Sequence, residues 1–515
     1  MFVRMLSASV VGVEGRLIEV EVDISSGLPQ VSVVGLPDPA VRESVERVRT
    51  AIQNGGMKFP LDRITVNLAP ADMRKEGSAF DLAIAAGILG ASGQIPAGML
   101  EGSLLIGELS LSGEIKPVPG VLPMVERARK EGLSQAFVPR ECVAEASLIE
   151  GIRVRGIGSL REWILGGGRH PEPERPSSGI EGAAWPAARE EGGHDLDLSD
   201  VVGQHRGKRA LLIAAAGMHN LLYIGPPGTG KTMLCRRLPT LLPPLDDEEA
   251  LTVTKIYSVS GKLRRERPGL IRERPFRSPH HTVSAAGLIG GGSVPKPGEA
   301  TLAHHGVLFL DEMPEFPRTA LEALRQPLED RHVTIGRARG VVSFPARFML
   351  AASANPCPCG YWGAETKEHP CTCSALAVAR YRARMSGPLA DRIDLQVEMP
   401  RQPIVPSAQD GMTSAQAREL VAEAGERQRF RYRSLGIRWN SELSGRRLAE
   451  HVKLAPGAES LLAGAYAGLG LSFRAHDRIL KMSRTIADLA GSDAVKEEHV
   501  AEAVQYRCLD ANAAG

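Results

Sequence analysis

The stretch Gly225-Pro226-Pro227-Gly228-Thr229-Gly230-Lys231-Thr232 decides the fold of the central part of this chain. It fits G-x-x-x-x-G-K-[ST], the loop that cradles nucleotide phosphates. The apolar run Leu221-Leu222-Tyr223-Ile224 before it reads as a buried strand, and an apolar stretch from Met233 reads as the helix after it. Glycines let the backbone approach a phosphate, successive N–H groups form an anion-binding nest, and the helix N-terminus adds positive potential. Lys231 is then placed to reach the β- and γ-phosphates of a nucleoside triphosphate, and the Thr232 hydroxyl to bind Mg2+.

Further along, Val307-Leu308-Phe309-Leu310 runs into Asp311-Glu312, a buried strand ending in two carboxylates. Asp311 can hold Mg2+ through water, and Glu312 can polarise the attacking water. A third apolar strand, Phe348-Met349-Leu350-Ala351-Ala352, leads to Asn355, which resembles the polar sensor that orients such a water. Arg392, in Leu389-Ala390-Asp391-Arg392-Ile393-Asp394, resembles an arginine finger reaching a neighbouring subunit's γ-phosphate, a charge worth about 10³-fold or more in rate. The plainer reading is a surface arginine paired with Asp391 or Asp394. Arg474, in Ser472-Phe473-Arg474-Ala475, resembles a second sensor arginine, against the plainer reading of a solvated helix charge.

A chain of 515 residues is long enough for two to four domains. Its net charge of +2 excludes a uniformly basic coat, so nucleic acid can be gripped only by a local patch. There is no run of about 18 apolar residues, so no membrane span is expected. Met1 to Ala8 lacks a charged leader with an apolar core. With seven cysteines, four of them crowded together, the expectation is a reducing cytoplasm.

The fold expected is α/β, with residues 1–165 as a first domain. Ile18, Val20, Val22 and Ile24 alternate with acidic residues as a half-buried strand does, and Ile64, Val66 and Leu68 repeat the pattern. Asp38 before Pro39 predicts a helix start, and residues 79–90 a buried helix. A hairpin is predicted near Ser112-Gly113, and a further helix over 122–130. Residues 166–196, rich in Gly, Pro and Ser, read as a flexible linker. The nucleotide-binding core follows over 197–400, and residues 401–515 read as an all-α lid.

Arg274-Pro275-Phe276-Arg277-Ser278-Pro279-His280-His281, the run from Leu288 to Glu299, and Leu302-Ala303-His304-His305 before Asp311 narrow the class. Together with the motifs above they resemble an AAA+ ATPase of the magnesium-chelatase-like branch, and within it the ComM/YifB family. The resemblance covers nearly the whole chain. It implies an ATP hydrolase working as a ring, usually a hexamer, with ATP bound between subunits. It further implies DNA branch migration, a helicase-like activity extending strand exchange in homologous recombination during natural transformation. Single-stranded and branched double-stranded DNA and a recombinase are the partners implied. The alternative is a chelatase-type ATP-dependent protein remodeller. Lys75-Glu76-Gly77-Ser78-Ala79-Phe80-Asp81 resembles the serine region of Lon-protease-like domains. Where the Lon lysine would stand, the chain has Pro119-Gly120-Val121-Leu122. Leucine cannot serve as base to a serine nucleophile, so a Lon-like fold without peptidase activity is expected.

Two further groups stand out. Val333 to Phe344 reads as two strands joined by a basic turn, whose Arg337 and Arg339 can grip phosphates; a solvated hairpin is the alternative. Cys357, Cys359, Cys371 and Cys373 form two C-x-C knuckles suited to tetrahedral Zn2+, with His369 as a substitute ligand, or else are plain reduced thiols. His280-His281 and His304-His305 suggest a metal, but adjacent residues of a strand face opposite ways, so packing roles are expected.

Overall fold

The computed structural model describes residues 1–96, 101–166, 196–263, 269–292, 294–337, 340–385, 389–401 and 411–507. The predicted linker lies almost entirely outside them, as does Cys508. The chain divides into two units: Met1–Trp185 with Asp247–Arg272, and Pro186–Asp246 with Glu273–Gly515.

In the first unit a seven-stranded mixed sheet runs in the order Gln30–Val34, Arg63–Ala69, Glu14–Ser25, Phe2–Val11, Ser103–Leu105, Gln135–Pro139, Arg153–Ile157. The predicted alternation is what fixes its inner face. Ile18, Val20, Val22, Ile64, Val66 and Leu68 are all fully buried, and Val22 lies opposite Val66 in the antiparallel register. Helix Pro39–Asn54 starts as expected, the Asp38 carboxylate accepting from the Val41 N–H at 2.8 Å. Helix Asp81–Ala91 is buried on every side, which is why it reads as continuously apolar rather than amphipathic. The predicted hairpin pairs Glu108–Leu109 with Ile115–Lys116.

One segment departs from the expected division. Helix Asp247–Val259, read from sequence as part of the nucleotide-binding core, packs in the first unit. Its Lys255 ammonium bonds Glu14 and Glu126, each at 2.8 Å, and its Ser258 carbonyl accepts from the Gly120 N–H. Those partners lie more than a hundred residues upstream, so no local pattern announces them.

The second unit is built on a five-stranded, all-parallel sheet in the order Phe276–Arg277, Val307–Leu310, Met349–Ala354, Leu221–Ile224, Leu395–Glu398. The middle strands are buried on both faces, which explains their unbroken apolar runs. Ile224 pairs with Ala354 and Leu310 with Ala352. The loops after three neighbouring strands therefore leave the same edge of the sheet, the edge where open α/β sheets bind ligands. From Thr413 onward the chain is helical, in five helices from Ser414–Tyr432 to Glu497–Val504 among the described residues. Thr413 and Gln416 close a capping box at the first of them. Leu234 of the core and Ile479 and Met482 of helix Phe473–Leu489 belong to one continuous hydrophobic cluster.

Candidate nucleotide site

Between strand Leu221–Ile224 and helix Lys231–Leu241 the loop turns through positive φ at Gly228 (81°) and Gly230 (86°). A side chain at either would strain the turn that aims the N–H groups inward. Lys231 is nearly buried, its ammonium donating to the Gly225 carbonyl at 2.6 Å, the Pro226 carbonyl at 2.9 Å and Asn355 Oδ1 at 3.3 Å. Burial pushes it down to about 8, and the carboxylates of Asp311 and Glu312 only partly offset that. Lys231 and Asn355 are thus in direct contact, each following the end of one of two paired strands.

On the other side, the Thr232 hydroxyl lies 3.0 and 3.1 Å from the two Asp311 oxygens. A hydroxyl beside a carboxylate is the oxygen donor set a hard divalent cation takes. Glu312 follows in the left-handed region (φ 54°) with its side chain half exposed. A non-glycine residue held there costs of order 1–3 kcal/mol, a cost the surrounding contacts must hold in place. The holding contact is Ser353: its hydroxyl donates to Asp311 Oδ1 at 2.5 Å and accepts from the Glu312 N–H at 3.0 Å. One buried oxygen thus orients both acidic residues. Sequence reasoning passed over it, although a serine in an otherwise apolar strand is a signal, because its buried hydroxyl requires partners.

The histidine pairs differ from their expected geometry. Neither lies in a strand, and each pair brings its rings together at 4.1 Å. His281 Nδ1 approaches Glu312 at 4.0 Å, placing it beside the acidic half of the site. His304 accepts from the Arg347 N–H at 3.0 Å, and burial, with Arg347 and Arg274 nearby, pushes His305 down to about 3. That second pair packs and bonds the backbone, as expected of it.

Arg392 is the residue expected from the sequence to reach a neighbouring subunit. An arginine reaching a neighbour should project outward, yet Arg392 is 3% exposed and its guanidinium is paired with Glu329. The Asp394 carboxylate receives Arg478, and Arg478 with His219 keeps it well below the usual carboxylate range against the pull of burial. Arg474 approaches the same Glu329 at 3.5 Å with its side chain 58% exposed. The two arginines form a second cluster on one carboxylate.

Strands His332–Arg337 and Gly340–Pro345 pair antiparallel, with Arg337 opposite Gly340. Arg339 and the Arg337 side chain lie outside the described residues. In the first unit the Ser78 hydroxyl donates to the Glu108 carboxylate, Lys75 is fully buried with its ammonium on the Pro70 carbonyl, and Leu122 is fully buried. Ser78 therefore has a carboxylate beside it.

A parallel sheet with a P-loop, paired carboxylates and an asparagine at one edge, followed by a helical region, defines an ATP-binding AAA+ protein. Family descriptions agree in chain order: "Subunit ChlI of Mg-chelatase" matches residues 20–142, "Magnesium chelatase, subunit ChlI" residues 197–405, and its C-terminal part residues 411–507. Competence protein ComM of Haemophilus influenzae is 43% identical, covering 98% of this chain and 97% of its own. Protein YifB of Escherichia coli is 42% identical over 97% and 96% respectively. Lon protease 2 of Bacillus subtilis is 28% identical over 29% of this chain and 30% of its own. The chain belongs to the ComM/YifB family of magnesium-chelatase-like AAA+ proteins. Among the described residues no helix is long and apolar enough to cross a membrane.

Proposed function

We propose that the protein is a cytoplasmic ATP hydrolase that works as a ring, a hexamer in the family pattern, and drives DNA branch migration in recombination during transformation. The observation that carries the hydrolase reading is the convergence of Lys231, Thr232, Asp311, Glu312 and Asn355, with Ser353 tying the two carboxylate residues to the sensor strand. Lys231 leaves the loop carbonyls to meet the triphosphate. Asn355 loses that partner and is free to orient water. Glu312 takes the water's proton as the oxygen attacks the γ-phosphorus and ADP leaves. Thr232 and Asp311 would hold Mg2+, which would neutralise charge at the phosphates.

The DNA half of the proposal rests on likeness to ComM and on the paired strands His332–Arg337 and Gly340–Pro345, between which the sequence carries Arg339 shortly after Arg337. The burial of Arg392 counts against a preformed trans finger. For action across a ring interface, the Arg392–Glu329 pair must open on assembly, or the role falls to the exposed Arg474. A recombinase is the expected partner. The chelatase family match keeps a protein-remodelling alternative in view, and the buried Leu122, where a Lon-type lysine would stand, argues against proteolysis. The deciding experiment is migration of a three- or four-stranded junction with and without ATP, with Glu312→Gln as the control. ATP turnover without DNA stimulation or junction movement would favour the remodeller.

A further inference from the structure

The four cysteine sulfurs at 357, 359, 371 and 373 all lie within 4.8 Å of one another. Cys357 and Cys359 are 3.3 Å apart, Cys359 and Cys371 3.5 Å, and Cys357 and Cys371 3.8 Å. Bonds of about 2.3 Å in tetrahedral geometry set sulfurs about 3.8 Å apart, whereas a disulfide requires about 2.05 Å. The spacing is that of four thiolates round one ion. The Trp362 N–H donates to Cys357 Sγ at 3.3 Å, a bond that steadies a thiolate ligand. Hydrophobic burial does not account for the cluster, because three of the four cysteines are only half buried. His369 is not drawn in; its ring stacks on Tyr361 at 5.1 Å.

The surroundings give the cluster a role. Cys357 follows Asn355 by two residues, and Asn355 holds Lys231. Gly360 turns the first knuckle with φ 88°, and a Cβ there would lie 2.8 Å from Pro227 Cδ and 3.9 Å from Asn355 Cγ. The knuckle therefore rests directly on the P-loop. Beyond the second knuckle Ser374 begins helix Ala375–Met385, its hydroxyl accepting from the Ala377 N–H. Arg382 of that helix lies 3.8 Å over the Trp362 ring. Arg384 donates to the Pro314 carbonyl at 3.0 Å, two residues past Glu312. The cluster thus braces the P-loop and sensor on one side and the turn behind Glu312 on the other.

Resting on the reading of this pocket as an ATP site, we infer that the four cysteines hold one Zn2+ whose occupancy sets the affinity of the pocket for nucleotide. Without the ion, the loop between the knuckles closes only by its own contacts and regains chain entropy, and Pro227 and Asn355 lose their backing.

The test uses the full chain purified without chelator. Metal content is measured, Co2+ is exchanged in for its tetrahedral thiolate spectrum, and binding of a fluorescent ATP analogue is titrated before metal extraction, after it, and after Zn2+ is restored. About one Zn2+ per chain is expected, with about a tenfold loss of nucleotide affinity on extraction, the scale on which supporting groups act, reversed by Zn2+. Gly360→Ala should keep the metal yet lose affinity similarly, since it crowds Pro227 of the P-loop and removes no ligand. Substoichiometric metal with no cobalt thiolate signature overturns the site. Affinity unchanged in both extracted protein and Gly360→Ala overturns its coupling to the pocket. Metal content and spectrum are read without nucleotide, and binding by untreated chain reports separately on the ATPase reading.

Discussion

Raising the pH from about 7 to about 9 should weaken nucleotide binding about tenfold through Lys231 alone. Burial lowers this lysine to about 8 in the empty pocket, so its charge is lost as pH rises through that value, and only the charged form attracts phosphate. A bound triphosphate favours the ammonium and raises it again. Well below pH 8 the lysine is charged before and after binding, and no proton moves. At about pH 9, one unit above, roughly nine-tenths of free chains carry a neutral Lys231, so binding takes up nearly one proton and affinity falls by that factor. Secondary phosphate ionisation, near pH 6, is complete by then and contributes little. Calorimetric titration in two buffers of different ionisation enthalpy counts the protons directly. Lys231→Arg keeps its charge across the range, so whatever affinity it retains should not vary with pH. Affinity that stays flat over this range, with no proton uptake, refutes the assignment of Lys231 as the titrating phosphate ligand.

Other outcomes test the remaining parts. Glu312→Gln should bind ATP normally yet turn over about 10²- to 10⁴-fold more slowly, measured as phosphate release; undiminished turnover removes Glu312 as the water-activating group. Ser353→Ala strips Asp311 and the Glu312 N–H of their shared partner. It should lower turnover about 10- to 100-fold with a stability loss of about 1–3 kcal/mol by denaturant titration, and wild-type turnover would show that Ser353 orients neither residue. Arg392→Ala subunits mixed with Glu312→Gln subunits should recover ATPase activity if Arg392 acts across an interface; if recovery follows Arg474→Ala mixing instead, the exposed arginine on Glu329 holds that role. Replacing both Arg337 and Arg339 by Ala should reduce the slope of log affinity against log salt for duplex DNA by about 2, and an unchanged slope places the DNA contact elsewhere.

What the sequence revealed and what it concealed divide along a physical line. The P-loop, the paired carboxylates and Asn355 were legible because each sits at a strand end, where the apolar run states burial and the next residues state chemistry. Asp38 was legible because a cap bonds only three residues away. The strand alternation around Val20 and Val66 was legible because one face of that sheet is core. By contrast, Ser353 acts through Asp311 and Glu312, some forty residues upstream, and Arg392 is governed by Glu329, sixty-three residues away. The histidine pairs were judged by strand geometry, and the backbone there is not a strand. The four cysteines fall between these cases. Their spacing predicts that the four sulfurs gather, but nothing in the spacing says that Gly360 rests on Pro227. A residue whose role is set by its own backbone neighbourhood is readable in one dimension; a residue whose role is set by a distant counter-ion is not. Arg392 belongs to the second kind, and so any role it has must be argued from its pair with Glu329 rather than from the motif around it.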